Sequence, residues 1–99
     1  MICIILKENK DTVSILGKKY NEKYLCPDNE QEFPLLSEVA PFDIDVFGHD
    51  QMEELIRDLK HLITKIPSEH HDHVMDIIKL AKECRQDSNK VLMFNPFLH

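Results

Sequence analysis

Asp43, Asp45 and Asp50 lie within the stretch from Pro41 to Gln51, among Phe42, Ile44, Val46 and Phe47 and with no Lys or Arg between them. Carboxylates so placed have four ordinary uses: binding a cation, acid–base catalysis, capping a helix, or meeting a basic partner. Counting Asp43 as position 1 of a calcium loop puts Asp45 at 3, Gly48 at 6 and Glu54 at 12. Position 5 must offer an oxygen and is Phe47; position 8 is normally apolar and is Asp50. Pro41 also stands where an entering helix would have to run. The resemblance to a calcium loop is half a match, and no calcium site is expected.

His70 and His73 stand at i, i+3 and could both face one metal from a helix. No further thiolate or carboxylate at ligand spacing completes the set, since Asp72 and Asp76 fall on another face. A solvated first helical turn accounts for the pair as well. Cys3, Cys26 and Cys84 are odd in number and contain no C-x-x-C, which suits free thiols in a reducing compartment. Cys26 lies among acids, which raise a thiol pKa and make a poor nucleophile. With only two glycines and no G-x-S-x-G, P-loop or G-x-G-x-x-G, a phosphate cradle or nucleophile elbow is hard to build. The expectation is a protein that is not an enzyme and uses no metal or cofactor.

The elements that carry these residues follow from periodicity. The apolar run 2–7 predicts a buried strand, residues 8–11 a polar turn, and the alternation through Val13, Ser14, Ile15 and Leu16 a second strand. Residues 23–26 read as a third short strand stopped by Pro27. Pro27, Pro34, Pro41 and Gly48 forbid a long helix, so 25–50 is expected as an ordered loop with a helical turn or two after Pro34. Its many large apolar residues should pin it to the core. Met52, Leu55, Ile56, Leu59, Leu62, Ile63 and Ile66 keep one apolar stripe and predict a helix over 51–66, with Asp50 as N-cap and Glu53 completing a capping box. A second helix over 68–86 is expected to start at Ser68, and a closing strand to span 90–95. Residues 1–99 thus read as a single α+β domain: a small antiparallel sheet, from the N-terminal hairpin and the C-terminal strand, packed against an antiparallel helix pair. No run approaches a membrane span, and the opening apolar stretch lacks the marks of a signal peptide, so a cytoplasmic location is expected. Leu98 and His99 carry no functional reading.

Charge is the most asymmetric property of the chain. The net charge is −6, yet residues 25–54 hold nine acids and no Lys or Arg, while the segments on either side are each net positive. Such a chain is a poor direct ligand for nucleic acid, whose phosphates need clustered bases. Acids interleaved with Phe, Leu, Ile and Val would instead present an apolar anchor inside a charged rim, a surface suited to a cationic protein.

Three stretches, YLCPDNEQEFPLL, PFDIDVFGHDQMEELIRDL and KVLMFNPF, resemble short bacterial proteins that include immunity proteins of contact-dependent growth inhibition systems. The resemblance runs from about Tyr20 to Phe97 and rests on a pattern of Pro, Phe and acids. It implies a cytoplasmic, cofactor-free protein that neutralises one cognate toxin domain, often a nuclease. Together with the charge pattern it gives the expectation of an inhibitor that occludes the active site of a basic toxin domain, a ribonuclease in the leading version. Glu30, Glu32, Glu38, Asp43 and Asp45 would meet the toxin, with Phe42 or Phe47 as anchor. Two other readings remain open: a metal-binding regulatory module using His70 and His73, and a non-enzymatic adaptor or homodimer subunit.

Overall fold

The structure, a computed structural model, describes residues 1–98; His99 lies outside the described residues. Strands β1 (Cys3–Glu8) and β2 (Asp11–Gly17) form the expected hairpin, with Asn9 taking a positive φ of 55° at the turn. β3 (Asp45–Gly48) and β4 (Lys90–Asn95) complete a four-stranded antiparallel sheet in the order β2-β1-β4-β3. Helices α2 (Met52–Ile63) and α3 (His71–Arg85) pack together against one face of it. The expected α+β class holds, with a strand at Asp45–Gly48 where the sequence suggested a loop.

That strand corrects the expectation of loop throughout 25–50. Asp45–Gly48 pairs with Phe94, Met93, Leu92 and Val91 of β4, so Phe47 turns inward and Val46 outward. A second correction concerns 23–26. The chain turns at Tyr20, whose φ is 68°, and residues Glu22–Leu25 form a single short helix, α1, rather than a strand. Leu25 is thereby fully buried. The helical turn expected after Pro34 is present as a 3-10 turn at Leu36–Glu38.

The core lies between sheet and helices. Ile4 and Leu6 of β1, Leu92 and Phe94 of β4 and Phe47 of β3 meet Leu55, Leu59 and Leu62 of α2 and Val74, Ile77 and Ala81 of α3. Each large side chain so buried contributes about 1.5–3 kcal/mol. Asp50 does not cap α2. The chain enters through a 3-10 turn at His49–Gln51, and the Gly48 N–H donates to Gln51 Oε1 at 3.0 Å. No side-chain cap closes the 3-10 turn that leads from Ser68 into α3.

Among the described residues no helix lies on the opposite face of the sheet. Ile15, Ile5, Met93 and Val46 are direct cross-strand partners and so form one row across all four strands on that face. Ile5 is nearly inaccessible beneath its neighbours, but Ile15 is 56% and Val46 50% exposed.

Candidate protein-binding surface

The acidic segment is fastened at several points. Asn29 Oδ1 accepts from the Gln31 and Glu32 N–H groups and starts the turn that brings Phe33 inward. Asp58 of α2, itself 2% exposed, then accepts the Leu35 and Leu36 N–H groups at 2.8 and 2.9 Å on one oxygen, Oδ2. These are the orphan donors that open the 3-10 turn, satisfied by a carboxylate from another element. Val39 and Phe47 are buried on either side of the next loop. Across its neck the Ala40 N–H donates to Asp45 Oδ2 at 3.1 Å. The tip, Pro41–Ile44, is left outside, with Phe42 79% exposed beside the exposed Asp43.

The structure sorts the candidate residues. Phe47 is not an anchor: it is 3% exposed and packs edge-on against Phe94, with centroids 5.6 Å apart. Asp45 closes the loop rather than standing free. Glu32 is held by Lys65 at 3.1 Å and His61 at 3.3 Å, which lower its pKa, so one charge of the acidic segment is already answered from α2. Glu30, Glu38, Asp43 and Phe42 are exposed. A shallow cleft of about 440 Å³ is lined by Gln31, Glu32, Pro34, Arg57, Asp58 and His61, and its carboxylates are the ones spent on Lys65, His61 and the backbone. Burial, with Glu22 and Asp45 nearby, pushes the Cys26 thiol up to about 11, and burial does the same for Cys84, so neither is a thiolate near neutrality.

The histidine pair is not arranged as a ligand set. Asn21, fully buried, exchanges two hydrogen bonds with the Ile2 backbone: Oδ1 accepts from its N–H and Nδ2 donates to its C=O, both at 2.7 Å. That fixes the amide orientation, so the remaining Nδ2 hydrogen points at His73 Nε2, 3.2 Å away, which must accept it. His73 is therefore the neutral Nδ1–H tautomer with Nε2 engaged, while the His70 ring stacks on Tyr24 at 4.6 Å. Among the described residues no group of three or more His, Cys, Asp or Glu is placed to hold a metal ion.

The clamp has a pH consequence. Burial holds the His73 pKa below the usual 6.5; Lys18 and His70 act the same way and Asp76 opposes them. As pH falls, the unfolded chain takes up this proton before the folded one, so stability present above about pH 6.5 is lost below it. The urea midpoint should fall between about pH 7.5 and about pH 5.5, and less steeply in His73→Leu. Equal slopes in the two proteins would remove His73 from the account.

Asp58 and His73 were missed as structural groups, yet each left a trace in the sequence. Asp58 stands at i+3 from Leu55 and i−4 from Leu62, and His73 at i−4 from Ile77, so both interrupt the apolar stripes of their helices. A polar residue inside such a stripe must find a buried partner.

This geometry defines a two-layer α+β sandwich with an acidic, apolar-tipped loop at one sheet edge. The chain matches no protein-family model, no curated protein and no solved structure. Among the described residues no helix is long and apolar enough to cross a membrane.

Proposed function

We propose that this chain is an immunity-type inhibitor that binds a basic toxin domain, of the ribonuclease kind, and covers its active site without chemistry of its own. The observation that carries the reading is Phe42, 79% exposed on a loop whose two sides are buried and whose neck is closed by Asp45. A large aromatic held out on a fastened loop loses little conformational freedom on binding, the condition for an anchor residue. Asp43 beside it, with Glu38 and Glu30 along the same segment, supplies the charge that draws in a cationic surface and stands where phosphates would lie. Glu32 contributes less, since Lys65 and His61 already answer it.

The test is co-expression with the product of the adjoining gene, followed by binding measurements across a salt series. Phe42→Ala should weaken the complex roughly 30-fold, chiefly in dissociation rate. Asp43→Asn should slow association several-fold and flatten its salt dependence, with thermal stability unchanged. Unaltered binding by both variants would exclude this loop as the contact, and a failure of the two gene products to associate would remove the inhibitor reading. The homodimer reading is favoured by a different observation, the bare face of the sheet.

A further inference from the structure

We infer that α1 and the turn before it form a proton-released latch: neutral His73 holds it shut, and a proton on His73 lifts residues 18–26 off the start of α3 while the sheet and the two long helices stay in place. The segment has few holds. Between Lys18 and Cys26 only Asn21 and Leu25 are buried, and no side-chain cap closes α1. Its polar ties to the start of α3 are the Lys18 Nζ donation to the Glu69 carbonyl at 3.2 Å and the Asn21 bond to His73. The Tyr24 ring stacked on His70 adds one more contact.

The same contact carries polar atoms that the fold leaves unanswered. Among the described residues three buried side-chain atoms lack a hydrogen bond: Glu22 Oε2, Tyr24 OH and His70 Nδ1. Two belong to the stacked rings. The third, on α1, has only the Met1 ammonium, 3.6 Å away, an ion pair beyond hydrogen-bond length. All three regain water when α1 lifts, so opening recovers a desolvation cost that the closed form carries. Tyr20, just before α1, holds a φ of 68° that tyrosine rarely adopts, and it relaxes in the same movement. Against these stand the burial of Leu25 and the Asn21 clamp.

Asn21 cannot yield to a proton by turning over. Oδ1 and Nδ2 are both committed to the Ile2 backbone, and a flip would set donor against donor and acceptor against acceptor. A proton on His73 Nε2 would face the remaining Nδ2 hydrogen across 3.2 Å, so the charged ring and the closed clamp exclude one another. Burial is the chief reason the closed form binds that proton poorly. Lys18, beyond β2, and His70, in the 3-10 turn, add to it, and Asp76 on α3 opposes them. The carboxylates of Glu69 and Glu22 stand against His70 and Met1 instead. A proton on His70 breaks no contact, because Glu69 at 3.6 Å and the face of Tyr24 both attract a cation. The open form takes up its proton near the ordinary 6.5, so opening grows as pH falls below that value. Cys26 and Pro27 join α1 directly to the acidic segment, and the open latch frees the near end of that segment.

Amide hydrogen exchange followed by NMR tests this on the protein alone, so its outcome is separate from that of the inhibitor reading. The Ile2, Tyr24 and Leu25 N–H groups donate to the Asn21 side chain or carbonyl and report the latch. Corrected for intrinsic rates, they should exchange at least about tenfold faster than the slowest amides of α2 and β1, and low urea should not change them. Their protection should fall by up to about tenfold between pH 7.5 and pH 5.5. His73→Gln keeps an acceptor near the place of Nε2 without a titrating group, and should hold that protection level over the same range. In the unsubstituted protein the His73 ring should titrate together with the Ile2 and Leu25 amide shifts. Latch amides that exchange only with global unfolding would overturn the proposal. So would a pH response kept in full by His73→Gln, or a His73 ring that titrates without moving those amides.

Discussion

Asp58→Ala should cost about 3 kcal/mol of unfolding free energy, because two buried N–H groups lose a charged acceptor at once. Leu35 and Leu36 are 5% and 0% exposed, so water does not readily replace the carboxylate. Their N–H groups open the 3-10 turn of Leu36–Glu38 and have no acceptor within it. The substitution also frees the acidic segment from α2, since Asp58 holds it across more than twenty intervening residues. Asp58→Asn keeps an oxygen of the right shape without the charge, and should lose about half as much. Urea unfolding of the three proteins checks the order. A loss below about 1 kcal/mol for Asp58→Ala would mean that the segment is held by its apolar side chains alone.

Phe47→Ala should lower stability by about 3–4 kcal/mol, while Phe42→Ala, five residues earlier, should change it by less than about 0.5 kcal/mol. Phe47 is buried and fills space against the ring of Phe94, itself fully inaccessible. Its removal leaves a cavity on the inner face of the sheet, beneath the helices. Phe42 is 79% exposed and touches little that could be lost on truncation. Thermal melts separate the two within one experiment. Similar losses for both would place Phe42 in the core and remove its role as a contact residue.

The contrast between these phenylalanines also measures how far the sequence can be read. Period two is plain across residues 42–47, where Phe42, Ile44 and Val46 alternate with Asp43 and Asp45. The usual rule sends the apolar set of such a strand inward. Here the alternation is inverted: Ile44 and Val46 are about half exposed, and Phe47, on the acid side of the pattern, is the residue that enters the core. What makes Asp45–Gly48 a strand is β4, far along the chain, and no local signal carries that pairing. The two long helices were legible because their stripes are long and periodic, and the N-terminal hairpin because its turn is short and polar. Residues 23–26 failed for the opposite reason. Four residues of strand-like composition are too few for propensity to outweigh the turn at Tyr20 and the burial of Asn21 and Leu25. Of the candidate contacts, charge sign was legible and exposure was not; Glu32 looked like Glu30 until Lys65 and His61 were brought beside it.

The strand order has a consequence for how this protein is made. β4 lies between β1 and β3, pairing Asn95 with Cys3 on one side and Phe94 with Asp45 on the other. While the chain grows on the ribosome, only the hairpin and the helices can form; β3 has no neighbour and the inner side of β1 no finished core. When Lys90–Asn95 emerges, one strand joins two halves that until then share no backbone hydrogen bond across the sheet. Folding of this kind is dominated by late, long-range contacts and is slow for its size. During that interval β1 offers an unpaired edge of Ile and Leu to any neighbouring nascent chain.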